Sequence, residues 1–261
     1  MSALKSDYEP ILLNTPKEFS QIEVYSIHDL HKGNRLFNDR KWEAVKAEIL
    51  DAPNRYLVFV GDAMENAVPG SKSDIFEQIC SPQEQKEWFA EQLTELRDRV
   101  LCVVDGNHER NRSTKLCGLY PLYDCALIAG IGDRYRPHFA FVDVGVGARK
   151  RDPSQQTHYV IYAVHKAKDT KQYSSVDFVD GVDAMLFGHN HSPADLPRGR
   201  LVYDTTLKQI RQKDVEVLNC GGYLTWGGYS ADNAYRPNSD KLYKLVLRGD
   251  EKKLCTVGFY V

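Results

Sequence analysis

Leu101-Cys102-Val103-Val104-Asp105-Gly106-Asn107-His108-Glu109 runs four apolar residues straight into five that are polar or glycine. A short apolar run bounded in this way reads as a strand buried on both faces that ends in a turn. The same break recurs elsewhere. Residues 22–27 run into His28-Asp29-Leu30-His31-Lys32-Gly33, 56–60 into Gly61-Asp62, 159–164 into His165, and 184–187 into Gly188-His189-Asn190-His191. In open α/β sheets ligands collect at the carboxyl ends of strands, so these turns are expected to converge on one site.

Around this frame, runs rich in β-branched and aromatic residues predict further strands at 139–144, 215–218, 242–247 and 254–261. Two helices are signalled between the first strands. Trp42, Val45, Ile49 and Leu50 form one apolar stripe, ended by Pro53. Ser81-Pro82-Gln83-Glu84 supplies an N-cap, a proline at the first helical position and a capping-box glutamate. The stripe Phe89, Leu93, Leu96 and Val100 follows at helical spacing. Strand and helix alternate in the first half, and the end of the chain reads mostly as strands. That order predicts an α/β fold with a parallel part and an antiparallel part. No repeat, low-complexity tract or linker divides the sequence, so residues 1–261 are read as one domain.

Composition narrows the function classes. The formal net charge of −2 gives no general attraction to nucleic acid or membrane. No apolar run approaches the roughly 20 residues that span a bilayer. Residues 1–16 lack the apolar core of a signal peptide, which predicts a cytoplasmic protein. The six cysteines are scattered without a CxxC pair, and Cys102 and Cys220 read as buried inert thiols. Residues 66–81 and 110–138 read as long irregular connections of the kind that often carry function. The basic scatter Arg198, Arg200, Lys208, Arg211 and Lys213 reads as a solvated face.

The spacing within the polar clusters suits metal binding. Asp29 and His31 stand two apart in extended chain, so both side chains point the same way, and His189 and His191 repeat that geometry. Gly33, Gly61, Gly106 and Gly188 permit the tight turns that bring ligands close. Imidazole with carboxylate oxygen suits Mn, Fe, Zn or Ni rather than Ca. Each cluster alone is commonplace. The order DxH, GD, GNHE, H, GHxH, each at a strand end, takes in five of the eight histidines.

That ordered set resembles the calcineurin-like metallophosphoesterase superfamily, which includes Ser/Thr protein phosphatases, purple acid phosphatases, cyclic-nucleotide phosphodiesterases and a double-strand-break repair nuclease. The motifs cover residues 29–191. The resemblance implies a four-layer α/β/β/α sandwich of two mixed sheets. It also implies a centre of two divalent transition-metal ions, manganese first and Fe, Zn or Ni as alternatives. Asp29, His31 and His191 would hold one ion, Asn107, His165 and His189 the other, and Asp62 would bridge them. Two such ions clamp the attacking and leaving oxygens of an in-line displacement and acidify water. His108 would not be a ligand but would assist at the phosphoryl or leaving-group oxygen, oriented by Glu109 or, less favoured, Asp105.

Departures from the pattern leave some roles open. His28 stands where many members carry a small residue. It is either a support for a ligand, a phosphate contact or a buried structural histidine. Glu65, three after the bridging Asp62, is expected to support a ligand. Arg110 and Arg112 either bind substrate phosphate through the guanidinium fork or are solvated loop charges. For substrate, the expectation is a phosphodiester of nucleotide or nucleic-acid type. Tyr120, Tyr123, Tyr135, His138, Tyr223, Trp226, Tyr229 and Tyr235 offer ring faces for bases. The alternative is a phosphomonoesterase such as a protein phosphatase, although Asn66 replaces the arginine expected near the Gly-Asp motif of that branch. A non-catalytic scaffold of the same fold is a third reading, but such members lose His108 or metal ligands. Nothing in the sequence points to a membrane or to a protein partner.

Overall fold

The computed structural model describes residues 4–71, 75–166 and 179–261. Two mixed β-sheets form a sandwich. The strands are β1 (Ile11–Asn14), β2 (Gln21–Ile27), β3 (Arg55–Val60), β4 (Val100–Val104), β5 (Tyr135–Arg136), β6 (Phe139–Val146) and β7 (Thr157–Val164). They continue with β8 (Ala184–Phe187), β9 (Ala194–Asp195), β10 (Arg198–Asp204), β11 (Gln209–Asn219), β12 (Leu242–Arg248) and β13 (Leu254–Phe259). One sheet has the order β13-β12-β2-β3-β4-β5, and the other β1-β6-β7-β8-β11-β10 with β9 paired to β11. Within the first, β2 to β5 are parallel and β12 closes antiparallel on β2. In the second, β7, β8 and β11 are parallel.

The inner parallel strands β3, β4 and β8 are almost wholly apolar because both of their faces are covered. Along β3, Tyr56, Val58 and Val60 face the other sheet, packed with Val104, Val142, Ile161, Leu186 and Leu245. Leu57 and Phe59 point the opposite way, under the helices. There α1 (Asp39–Leu50) buries Trp42, Val45 and Ile49, and α2 (Pro82–Leu96) buries Phe89, Leu93 and Leu96. The capping box forms as expected, with the Ser81 side chain and the Glu84 carboxylate each serving the other's backbone N–H. The far face of the second sheet gathers Tyr162, Met185, Phe187 and Val217. No helix covers that face among the described residues.

Each of the nine predicted strands is present, β11 beginning well before its predicted start. Residues 110–138 are not an irregular connection. They hold a π-helical turn at Glu109–Thr114, α3 (Lys115–Cys117), α4 (Pro121–Ile128) and β5. Pro121 at the helix start and the buried Leu122, Cys125 and Ala126 explain α4. The basic scatter falls on the β10–β11 hairpin, where Lys208 and Arg211 are exposed. A short helix, α5 (Tyr229–Asp232), stands between β11 and β12 in the chain. All six cysteines are free, with Cys102 and Cys220 buried. No helix among the described residues is long and apolar enough to cross a membrane.

Candidate metal centre

The carboxyl ends of β2, β3, β4, β7 and β8 meet at one end of the sandwich. Gly61 and Gly106 let the first of these turns touch. Gly61 has φ +79°, and a Cβ there would overlap the Gly106 backbone. A Cβ at Gly106 would in turn overlap the Asp62 carboxylate and amide nitrogen. The backbone is held in left-handed conformation at Asp29 (φ 52°), His31 (52°), Asp62 (51°), Asn66 (49°), His189 (78°) and His191 (53°). Such φ values are uncommon for residues with side chains and cluster where function over-determines the backbone. Only Lys208 and Ala234 share them elsewhere among the described non-glycine residues.

The seven expected ligands come together. Asp29, His31 and His191 offer ligand atoms within 4.8 Å of one another, as do Asp62, His165 and His189. Asn107 Oδ1 lies 3.2 Å from His165 Nε2. Asp62 stands between the groups, its Oδ2 3.1 Å from His165 Nε2 and 4.0 Å from His31 Nε2. Its Oδ1 accepts the His108 backbone N–H at 2.8 Å.

The donor set calls for cations. His165 Nδ1 is 2.7 Å from the Val60 carbonyl, so it carries the proton and donates. The other nitrogen then presents a lone pair to two oxygens, of Asp62 and Asn107. His31 Nε2 and His191 Nε2 face each other at 3.1 Å. Asp29 Oδ1 is buried with no hydrogen-bond partner, 3.4 Å from His191 Nε2 and 3.6 Å from His31 Nε2. Acceptors pointed at acceptors are stable only around a shared proton or a metal ion. The field is strongly negative. Burial opposes charge on His31, yet Asp29 and Glu65 carry its pKa up to about 10. Burial likewise opposes charge on His165, and Asp62 carries it up to about 9. Against their own desolvation, Asp29 and Asp62 are held below the usual carboxylate range by the surrounding histidines. A dication answers the same field that recruits these protons.

Supporting residues fix the ligands from behind. His28 is fully buried, and its Nε2 accepts the Cys220 N–H at 3.1 Å. Its proton is therefore on Nδ1, which donates to Asp29 Oδ2 at 2.6 Å. Burial lowers the His28 pKa, in keeping with a neutral ring. It orients Asp29 and does not line the cleft, so it is no substrate contact. The expectation that Glu109 orients His108 is not met. The Glu109 carboxylate accepts the backbone N–H groups of Asp62 (3.1 Å), Gly106 (2.9 Å) and Met64 (3.2 Å). Those bonds clamp the Gly-Asp turn to the GNHE turn. Asp105 is also away from the ring, bonded to the Tyr135 hydroxyl at 2.6 Å.

The His108 ring is held by Glu65 and Arg112 instead. His108 Nδ1 lies 2.8 Å from the Glu65 carbonyl, and Arg112 Nη2 lies 3.1 Å from His108 Nε2. An arginine only donates, so Nε2 accepts and Nδ1 carries the proton. Burial lowers the His108 pKa to about 4 despite Asp62 nearby. His108 also falls in a possible ligand group with His31 and Asp62. The guanidinium on its lone pair opposes coordination there. Glu65 reaches His31 Nδ1 at 3.4 Å, Arg112 Nη1 at 3.3 Å and Asn34 Nδ2 at 3.1 Å. Arg110 is half-buried and its Nε donates to the Gly106 carbonyl at 3.3 Å.

The sequence reading missed Gln85 and Asn219. Gln85 Oε1 accepts the Asn66 N–H at 2.7 Å, and Asn66 Nδ2 donates to the His108 carbonyl at 3.0 Å. Asn219 Nδ2 donates to Asn190 Oδ1 at 2.7 Å and steadies the GHNH turn. A buried amide in a helix or at a strand end carries no sequence signal that would have found either.

The centre forms the floor of a cleft of about 580 Å³, walled by Leu36, Leu224, Trp226, Pro237, Asn238 and Asp240. Trp226 is 49% exposed, its Nε1 bonded to the Tyr235 carbonyl. Tyr135 and Tyr223 were expected as ring faces, but both are core residues, Tyr223 packed on Trp42. Tyr123 packs on Tyr135, and His138 pairs with Asp7. The side chain of Tyr229 lies outside the described residues.

No family model matches this chain, and no curated protein matches it in sequence. A crystal structure of Vps29 from Chaetomium thermophilum is similar at 12% identity, over 92% of this chain and 98% of that one, with a TM-score of 0.36. The functional reading therefore rests on the centre's own atoms.

Proposed function

We propose that this protein is a phosphodiesterase of the calcineurin-like metallophosphoesterase type, with two transition-metal ions, and that its substrates are nucleotides or nucleic acids. One observation carries the reading. The Asp62 carboxylate stands between two sets of histidine nitrogens at the floor of an open cleft.

Asp29, His31 and His191 would hold one ion, Asn107, His165 and His189 the other, and Asp62 would serve both. Manganese is the first choice, with Fe, Zn and Ni as alternatives. When bound, the ions would supply Lewis acidity at a phosphoryl oxygen and lower the pKa of water. The chain's own groups do the rest. His28, Glu65 and Glu109 keep the ligands aimed, and such supports raise affinity by restricting ligand motion. The neutral His108 meets the buried Arg112 guanidinium at Nε2, which fixes the ring at the floor of the cleft. Trp226 offers the apolar wall on which a planar leaving group rests.

The test is hydrolysis of bis-p-nitrophenyl phosphate beside p-nitrophenyl phosphate, with Mn²⁺ and with chelator. Chelator-sensitive cleavage that favours the diester is expected. Preference for the monoester would replace the diesterase reading with a phosphomonoesterase. A metal-loaded protein inert toward both would overturn the enzymatic reading.

A further inference from the structure

A second depression, of about 480 Å³, opens beside Asn107 and is lined by Arg110, Lys115, His138 and Lys166. Asn107 belongs to the expected ligand cluster, so the depression borders the metal centre, and neither His31 nor His191 lines it. Its charge is one-signed. His138 is matched by Asp7 at 2.8 Å, but Arg110, Lys115 and Lys166 form no ion pair among the described residues. Like charges gathered without counter-charge repel one another, and an anion between them removes that cost.

The main cleft is the opposite. Among the described residues Lys41 is the one Lys or Arg of its lining, and that Nζ is already bonded to the Gly222 carbonyl at 3.1 Å and 3.9 Å from Asp240. Burial lowers the Lys41 pKa. Trp226, Leu36, Leu224 and Pro237 give that side apolar surface, and Asp240 makes it unwelcoming to a phosphate.

From this asymmetry, and resting on the phosphodiesterase reading above, we propose that the two arms of the substrate differ in charge. Its uncharged, planar arm lies in the Trp226 cleft. Its other arm carries a further phosphate, which Arg110, Lys115 and Lys166 receive. Two sources share that chemistry: the next internucleotide phosphate of a strand and the polyphosphate chain of a free nucleotide.

Binding, rather than turnover, tests this. Affinities of the Mn²⁺-loaded protein for thymidine 5′-monophosphate, thymidine 3′,5′-bisphosphate and thymidine 5′-diphosphate are compared by calorimetry. At least one doubly phosphorylated ligand is expected to bind about tenfold more tightly than the monophosphate. Lys115→Glu and, separately, Lys166→Ala should erase that difference. Lys115 and Lys166 are both exposed, so neither change disturbs the core. A gain confined to the bisphosphate identifies a strand, and one confined to the diphosphate identifies a free nucleotide. Equal affinity for all three ligands, or a gain that survives both substitutions, would overturn the inference. Inert bis-p-nitrophenyl phosphate with the affinity pattern intact would defeat the phosphodiesterase reading alone.

Discussion

His31 Nε2 and His191 Nε2, 160 residues apart in sequence, face each other at 3.1 Å. Two neutral imidazoles cannot both accept there, so a proton or a metal ion must stand between these rings and Asp29. Protons and metal ions therefore compete for the centre. In the metal-free protein the His31 pKa reaches about 10 and that of His165 about 9, and each belongs to a different expected ion site. Both rings are protonated at pH 7, and each must lose its proton when metal binds. Affinity at each site should rise about tenfold per pH unit until the pH passes these values. Metal titration at several pH values, with proton release measured in weakly buffered solution, checks this. Affinity independent of pH would count against it.

The same shifts set the stability of the metal-free protein. A raised pKa means that the folded state binds protons more tightly than the unfolded chain. That stabilisation is complete below the ordinary histidine value and is lost as pH rises through about 9 to 10. Thermal melts should show the metal-free protein weakening on the alkaline side, with bound metal removing the loss. Melts whose alkaline loss is the same with and without metal would contradict the coupling.

His108→Asn separates binding from turnover. The ring sits at the floor of the cleft beside His31 and Asp62, but Arg112 occupies its Nε2 lone pair, so it is not among the expected ligands. Metal content should stay at the wild-type level while hydrolysis of bis-p-nitrophenyl phosphate falls by about 10² to 10⁴. Loss of metal together with activity would make His108 a ligand.

Glu109→Gln tests the buried clamp. The carboxylate serves three backbone N–H groups with two oxygens, whereas an amide has a single acceptor oxygen. Burial and then the charge of Asp62 raise the Glu109 pKa, so the substitution also removes a repulsion on Asp62, and a thermal melt confirms that the variant is folded before metal is titrated. Metal affinity is expected to fall about 10- to 100-fold as the Asp62 turn loosens. Unchanged affinity would show that the turn holds its shape without the clamp.

Strands β3, β4 and β8 were legible because continuous apolar runs have few alternatives to a strand covered on both faces, and β6 and β12 because apolar residues recur on their buried face. The site was legible through order, since Asp29, Asp62, Asn107, His165 and His189 each follow such a run. Strand β10 escaped notice because Leu201 and Tyr203 are exposed and no core face imposes alternation on it. Tyr135 and Tyr223 were misread for the opposite reason. Both stand in loop-like sequence, yet each side chain is buried by segments distant along the chain. Roles that depend on which backbone group lies opposite, as for Glu109, Gln85 and Asn219, exist only once the turns have met.

The most direct test of the central claim is the number of metal ions held per chain. Purified protein loaded with Mn²⁺, dialysed and analysed by inductively coupled plasma mass spectrometry should carry two ions, and Asp62→Asn should lose most of both. A folded wild-type protein without bound metal, or an Asp62→Asn variant with its full complement, would contradict the account.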